Sequence, residues 1–346
     1  MAARTLPIPF FFDSEAVGLV RRVEYQVLAD TARAWADQHD IKPAAVDEKR
    51  ICLMPIDCQN SFCVPEFELF VGGRSGNGAV EDNIRLCEFV YRNLDTITEI
   101  DPTMDTHTAM QIFHPIFWVD DEGEHPVGAQ TIISLDDILG GVWKVNPAVT
   151  TSIAAGSYAD LQKHATHYVK RLTDGGKYPL MVWPYHAMLG GIGHALVASV
   201  EEALFFHNLV RNSQTGFEIK GSNPLTENYS VLRPEVQNGP DGRPIAQKNS
   251  GFIEKLMQYD VVIIAGQAKS HCVAWTIDDL LTEILGQDES LAKKVYLLED
   301  CTSPVVVPGV IDFSDQADEA FQRFADAGIH VVKSTDTIED WSGIGN

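Results

Sequence analysis

Cys272 stands where an apolar strand pattern changes to a helical one. The run 261–265 is rich in β-branched residues and is followed by Gly266, which predicts a buried strand; apolar residues then recur at helical spacing. Free N–H groups and the helix dipole stabilise a thiolate at such a position, so we expect the pKa of Cys272 to lie below its usual value of roughly 8.5. The same N–H groups could bind a developing oxyanion. The alternative is a buried cysteine packed as a small apolar side chain.

Two further charged side chains follow predicted strands. The apolar run Ile51–Ile56 ends in Asp57, and the strand pattern at 215–219 ends in Lys220. In open α/β sheets, ligands bind at the edge where the carboxyl ends of the strands lie, so a carboxylate and an ammonium there are candidates for chemistry. A lysine that leaves a strand beside a Gly-Pro turn is also often merely solvated, and the residues alone leave both interpretations open.

Asp105 and His107 form a candidate metal-binding pair. Residues two apart at the end of a strand point to the same side of the pleat, and a carboxylate with an imidazole suits a shared transition metal. Such a pair alone also fits a hydrogen-bonded loop. His164 and His167 have helical i, i+3 spacing but no acidic or cysteine partner nearby, so we expect both on a helix surface.

The composition restricts the class of protein. The 346 residues are 45% apolar and 22% charged, as in an ordinary soluble globular protein of one or two domains. The formal net charge of −23 makes nucleic acid and anionic membranes poor partners, because both attract basic surfaces. No apolar run has the length of a membrane span. Six cysteines without paired spacing predict free thiols in a reducing cytoplasm.

Strand and helix patterns alternate from residue 51 to residue 333. This alternation predicts an α/β fold: a three-layer, doubly wound, mostly parallel sheet with helices on both faces. Residues 1–50 form a predicted N-terminal extension with one helix near Ser14–Gln38, and residues 51–346 form the main domain. Within the domain we expect an elaboration at about 120–178 that contains a helix near Tyr158–Thr173.

Five short motifs occur in a fixed order along the chain. They are Asp57-x-Gln59-Asn60-x-Phe62, Asp105-x-His107, Trp183-Pro184-x-His186, Lys220-Gly221 with Tyr229-Ser230 downstream, and Gly266-x-Ala268-x-x-x-Cys272-Val273. Together they resemble the isochorismatase-like cysteine hydrolases, and within that superfamily most closely the nicotinamidases. The sequence departs from the family pattern at Thr106, where tryptophan is usual, and at Ala187, where cysteine is usual. These departures leave the substrate open.

The resemblance implies a catalytic triad of Asp57, Lys220 and Cys272, and the isochorismatase-like hydrolase fold. It also implies an oxyanion hole formed by the backbone N–H groups of Ala268 and Cys272, after a cis peptide bond between Gln267 and Ala268. The residues expected to bind the substrate are Phe62, Trp183, Tyr229 and Gln267.

The same resemblance implies one divalent transition metal. Its ligands would be Asp105, His107 and His186, with His114 as a candidate fourth. Oxygen and nitrogen ligands of this kind suit Zn²⁺, which we expect, and also Fe²⁺ or Mn²⁺. In nicotinamidases the metal binds the pyridine nitrogen of the substrate and so orients it.

By resemblance, the expected reaction is hydrolysis of nicotinamide to nicotinate and ammonia through a thioester at Cys272. Two alternatives stay open: an amidase of the same superfamily acting on another small carbamoyl or amide substrate, and a non-catalytic scaffold with a redox-sensitive thiol. A true isochorismatase is disfavoured, because those enzymes lack the nucleophilic cysteine. We expect a homo-oligomer that binds a small-molecule amide.

Overall fold

A parallel sheet of seven strands forms the centre of the fold. The structure, a computed structural model, describes residues 5–154 and 156–344. The strands in these residues are β1 (Ile51–Ile56), β2 (Glu99–Ile100), β3 (Thr103–Asp105), β4 (Trp118–Val119), β5 (Ile132–Ile133), β6 (Lys144–Val145), β7 (Leu180–Met181), β8 (Glu218–Lys220), β9 (Val261–Gly266), β10 (Val295–Leu298), β11 (Val306–Val307), β12 (Ile311–Asp312) and β13 (His330–Val332). The order in the main sheet is β13-β10-β9-β1-β3-β8, and β2 also pairs with β1.

Helices cover both faces of this sheet. In the same residues they are α1 (Tyr25–Gln38), α2 (Asn60–Cys63), α3 (Gly78–Arg92), α4 (Leu135–Leu139), α5 (Thr150–Ile153), α6 (Tyr158–Asp174), α7 (Ala198–Arg211), α8 (Ser250–Met257), α9 (Ala274–Leu285) and α10 (Ser314–Asp326). Ile51 and Leu53 of β1 pack with α1, α3 and α7, whereas Cys52 and Met54 pack with α8, α9 and α10. The predicted α/β fold with a mostly parallel sheet is confirmed.

The pairing of β1 with β9 places the two most important strand ends at one level. Six register pairs join them, from Ile51 with Val261 to Ile56 with Gly266. Gly266 has a φ of +107°, and a Cβ atom there would lie 2.1 Å from the carbonyl oxygen of Ile56. Only glycine permits this approach. The chain therefore leaves β9 directly beside the end of β1.

The predicted elaboration packs around its own apolar cluster, which includes Phe117, Trp118 and residues of α6. β7 pairs antiparallel with β5 and does not join the main sheet. The expected surface position of His164 is wrong: the side chain is buried, and its Nε2 lies 2.8 Å from the carbonyl oxygen of Leu225. A distant segment covers this face of the helix.

Residues 5–50 contribute to the main core, since Leu6, Val17 and Leu28 belong to the same apolar cluster as β1. The predicted helix near Ser14–Gln38 is wrong in its first half, because α1 begins only at Tyr25. Before it the chain follows tertiary contacts instead: an added Cβ at Gly18 would lie 3.2 Å from Val80. These contacts override the helical spacing.

The composition led to one expectation for the cysteines and one for the helices. All six cysteines are free thiols, as predicted, and all six are buried. Across residues 5–154 and 156–344, every helix is too short or too polar to pass through a bilayer.

Candidate active site

Four predicted site residues meet at the carboxyl edge of the sheet. Asp57 follows β1, Asp105 ends β3, Lys220 ends β8, and Cys272 lies in a π-helical turn, Lys269–Val273, after β9. Asp105 and Lys220 are register partners in neighbouring parallel strands, so their side chains leave the sheet side by side.

The Lys220 ammonium lies at the centre of this group. Its Nζ is 2.9 Å from Oδ2 of Asp57 and 2.9 Å from Oδ1 of Asp105, and it donates a hydrogen bond of 3.0 Å to the carbonyl oxygen of Asn228. The Sγ atom of Cys272 lies 3.6 Å from the same nitrogen. All four ionisable side chains are buried. One ammonium therefore contacts both carboxylates and the thiol.

Burial and charge pairing act in opposite directions on these groups. Burial raises the pKa of Asp57, and the Lys220 ammonium offsets this only in part. Burial also disfavours the charged form of Asp105, but His107 and Lys220 outweigh it and hold the pKa of Asp105 well below its usual value. The pKa of Lys220 is raised well above its usual value because Asp105 and Asp57 outweigh its burial. Asp57 is thus the carboxylate that more readily accepts a proton.

The thiol of Cys272 is protonated at rest. Burial raises its pKa well above the usual value; Lys220 opposes the shift, and the carboxylates of Asp57 and Asp105 add to it. The expected lowering of the pKa is therefore wrong, because one ammonium and a helix terminus do not offset full burial beside two carboxylates. A base must remove the thiol proton before the sulfur can attack.

The turn that carries Cys272 presents a free backbone donor. The Gln267–Ala268 peptide bond is cis, as the resemblance implied. The carbonyl oxygen of Ala268 accepts hydrogen bonds from the N–H groups of His271 and Val273 at 2.9 and 3.2 Å. The backbone N–H of Ala268, in contrast, donates to no acceptor in the described part of the chain. An unengaged N–H beside a nucleophile is what an oxyanion hole requires.

Asp105, His107 and His186 form a candidate metal site. Their ligand atoms all lie within 4.8 Å of one another, and all three side chains are buried. Oδ2 of Asp105 is 2.8 Å from Nε2 of His107 and 3.5 Å from Nε2 of His186. One carboxylate and two imidazoles suit Zn²⁺, Fe²⁺ or Mn²⁺.

Backbone carbonyl groups orient both imidazoles toward Asp105. Nδ1 of His107 lies 3.0 Å from the oxygen of Gly221, and Nδ1 of His186 lies 2.7 Å from that of Pro184. Because a carbonyl oxygen only accepts, each Nδ1 carries a proton, and the lone pair of a neutral ring's Nε2 then faces a carboxylate that also only accepts. A cation must separate them. A proton does so on His107, whose pKa Asp105 raises against the effect of burial, and a metal ion would do so equally well. The residues therefore fit a metal.

His114, the candidate fourth ligand, lies beside this group. Its ring centroid is 5.8 Å from that of His107 and 5.9 Å from that of His186. Burial lowers the pKa of His114 to about 3, and its enclosed Nε2 has no hydrogen-bond partner among the residues described. A neutral ring with an unengaged nitrogen is compatible with a ligand role.

These groups open into a cavity of about 260 Å³. Its wall includes Lys220, Cys272, Asp105 and His186, and also the expected substrate-binding residues Phe62, Trp183, Tyr229 and Gln267. Nε1 of Trp183 donates a 2.9 Å hydrogen bond to the Tyr229 hydroxyl, which holds the two aromatic side chains together.

The side-chain amide of Gln267 is already engaged by the protein. Its Nε2 donates to Oδ2 of Asp82 at 2.8 Å, and its Oε1 accepts from the N–H of Ser303 at 3.3 Å. These two bonds hold the strand-to-helix turn in place, so the carboxamide has little capacity left to bind a ligand.

His271 and Glu227 also line the cavity, and sequence reasoning did not select either. Burial lowers the pKa of His271 to about 3, so its ring is neutral, and burial raises the pKa of Glu227 to about 7. The position of His271 directly before the candidate nucleophile was a usable signal. No sequence signal marked Glu227, because its position in the cavity wall depends on the path of the loop after β8. The outer wall, from residues 67–71 and 305–308, likewise had no local signature.

The two departures from the family pattern lie outside the cavity wall. The Thr106 hydroxyl is 2.8 Å from Nε2 of His194, and the N–H of Ala187 donates to Oγ of Ser61 at 2.8 Å. Neither Thr106 nor Ala187 lines the cavity. Both residues therefore lie on the side of the ligand-bearing loops that faces away from the cavity.

No protein-family model and no curated protein sequence matches the chain. Among solved structures, a nicotinamidase and pyrazinamidase from Acinetobacter baumanii matches 84% of this chain and 99% of its own, at a TM-score of 0.50 and 16% identity. The chain has the nicotinamidase fold. Yeast nicotinamidase matches 82% of this chain and 99% of its own (TM-score 0.48, 17% identity), as does a zinc complex of Pyrococcus horikoshii pyrazinamidase (0.45, 15%).

We expect the substitution Lys220→Met to slow alkylation of Cys272 by iodoacetamide at neutral pH by about tenfold or more, because loss of the ammonium raises the thiol pKa further. Mass spectrometry of the Cys272 peptide measures the rate. Lys269→Met is the matched control: this lysine lies on the same turn, but its Nζ pairs with Asp318 at 2.5 Å. The control should react at nearly the wild-type rate, and equal rates for Lys220→Met and wild type would contradict the electrostatic role.

Proposed function

We propose that the protein is a metal-containing cysteine amidohydrolase that releases ammonia from nicotinamide or a closely similar aromatic amide. One observation carries the proposal: Lys220 contacts both Asp57 and Cys272 at the wall of an aromatic cavity, and two of the candidate metal ligands, Asp105 and His186, line the same cavity. A nucleophile, a base and a cation that holds both are the parts that hydrolysis through a thioester needs. The protein from Acinetobacter baumanii that shares the fold is named a nicotinamidase, which supports the same reaction.

The first half of the reaction forms the thioester. Asp57 accepts the thiol proton of Cys272, and the sulfur attacks the carbonyl carbon of the amide. The N–H groups of Ala268 and Cys272 hold the carbonyl oxygen as it gains negative charge; removing one such donor costs on the order of a hundredfold in rate. When the C–N bond breaks, Asp57 donates this proton to the departing nitrogen, which leaves as ammonia.

The second half of the reaction hydrolyses the thioester. Asp57, again a carboxylate, accepts a proton from water as the water oxygen attacks the carbonyl carbon. The C–S bond then breaks, the acid product leaves, and the sulfur of Cys272 recovers its proton from Asp57. Throughout both halves Lys220 holds Asp57 in position and balances the negative charge that moves between carboxylate and sulfur.

The cavity and the metal ligands support a ring-sized amide as substrate. Asp105, His107 and His186 would hold a divalent transition metal, and His114 is a further candidate. Such an ion would bind the ring nitrogen of nicotinamide and so orient its carboxamide. A cavity of about 150 Å³ holds benzene. The observed volume of about 260 Å³ therefore accommodates an aromatic ring, a carboxamide and a few further atoms.

We expect Cys272→Ala to abolish ammonia release from nicotinamide, with a loss of about a thousandfold or more, because no other group can form the thioester. A coupled ammonia assay on the purified protein measures the rate. Cys301→Ala is the control, since Cys301 is also a buried free thiol but does not line the cavity. Wild-type turnover by Cys272→Ala would refute the nucleophile assignment.

We expect His186→Ala to lose its bound transition metal, because one of three close ligand atoms is removed. Metal analysis by mass spectrometry should give close to one ion per wild-type chain and far less in the variant. His167→Ala, which removes a histidine outside the metal group, should retain the metal.

The same pair of variants tests what the metal does. Benzamide has the size of nicotinamide but no ring nitrogen, so wild-type kcat/KM for benzamide should be lower by about tenfold or more, and His186→Ala should lose this preference. A metal-free protein that remains fully active, or equal use of both amides by wild type, would favour an amidase of the same superfamily with another substrate.

A further inference from the structure

A second cavity, of about 450 Å³, shares no lining residue with the catalytic cavity. Three parts of the chain form it: the last turns of α6, residues 175–177 and residues 233–242. None of the triad or metal-ligand residues contributes to its wall. Its chemistry is therefore independent of the proposed amide hydrolysis.

The wall of this second cavity concentrates positive charge in a strongly acidic chain. Arg171, Lys177 and Arg233 line it, and Glu235 is the one carboxylate among its lining residues. The wall thus carries a formal charge of about +2, although the whole chain carries −23. Cations brought together around one space repel each other, and a bound anion removes that repulsion.

Partners inside the protein engage the three cations to different degrees. Arg171 forms no ion pair with any residue in the described ranges. Nζ of Lys177 lies 3.5 Å from Oε2 of Glu235 and 3.9 Å from the centre of the Trp275 ring. Arg233 lies 3.1 Å from Glu283 and 3.8 Å from Asp279, and Glu283 also pairs with Lys248 at 2.9 Å.

The position of Arg171 also has a structural explanation that involves no anion. It lies in the last turn of α6, where a cation complements the helix dipole. That role needs no cavity, and it does not explain why Lys177 and Arg233 line the same space. An anion in this space would contact all three cations.

Glu235 competes only weakly for these cations. Both carboxylate oxygens are enclosed, and neither receives a hydrogen bond from the residues described. Burial raises the pKa of Glu235 to about 7, so its negative charge is partial at neutral pH. Lys177 therefore retains capacity to bind a ligand.

We propose that this second cavity binds a small dianion through Arg171, Lys177 and Arg233. Guanidinium groups bind the paired oxygens of carboxylates and of tetrahedral oxyanions in the same forked geometry, so both chemistries fit. Two negative charges match the formal charge of the wall. The ligand class is therefore a small dicarboxylate or a phosphate-type oxyanion.

Isothermal titration calorimetry of the full chain with sodium sulfate and, separately, sodium succinate at constant ionic strength tests the proposal. Wild type should show saturable binding, and the tighter anion identifies the preferred chemistry. Arg171→Ala should weaken that binding about tenfold or more, because one charge-assisted contact is lost, and Arg171→Lys should restore part of it. Arg33→Ala removes the same charge from an exposed position on α1 and should bind as wild type does.

Absence of saturable binding to wild type by either anion up to about 50 mM would overturn the proposal. Equal affinities of wild type and Arg171→Ala would overturn it as well. The side chain of Arg171 is exposed, so its replacement should leave the fold intact, and a thermal unfolding curve checks this. No turnover is measured, so failure here is distinct from failure of the proposed hydrolysis.

Discussion

The candidate active site depends on one buried ammonium. Nζ of Lys220 touches the carboxylates of Asp57 and Asp105 and lies 3.6 Å from the sulfur of Cys272. Burying each ion costs several kcal/mol, and two carboxylates beside a thiol would also repel one another if all were ionised. Contact with a single cation offsets part of this cost and determines which of the groups are charged. Asp105 and Lys220 stay charged, whereas burial raises the pKa of both Asp57 and Cys272, the two groups that exchange a proton in the proposed reaction.

Parallel strand pairing brings these groups together from distant parts of the chain. The register of β3 with β8 sets Asp105 beside Lys220, and the register of β1 with β9 runs as far as Ile56 and Gly266. The carboxyl ends of parallel strands share one edge, so side chains just after them converge without long loops. The candidate metal ligands use the same geometry, since Asp105 belongs to both groups. One carboxylate thus links the ammonium to the candidate metal site.

The sequence predicts β1 and β9 well because both faces of these two strands are buried, and β1 is observed at the predicted residues 51–56 as a continuous apolar run. Features that depend on tertiary contacts were predicted less well. The burial of His164 and the break before α1 are set by residues distant in sequence. The predicted lowering of the Cys272 pKa was wrong for the same reason. Local helix geometry favours a thiolate, but burial by other segments has the larger effect on the pKa. The second cavity joins segments whose proximity leaves no local pattern.

The most direct measurement of the central claim is the free energy of unfolding, by urea at pH 7, of two metal-free variants. Lys220→Met leaves Asp57 buried without its counter-ion and leaves Asp105 paired with His107, so it should lose about 3–5 kcal/mol. Lys220→Met combined with Asp57→Asn and Asp105→Asn leaves no buried charge in the cluster and should recover more than half of that loss. A Lys220→Met protein as stable as wild type, or a triple variant less stable than Lys220→Met, would contradict the account.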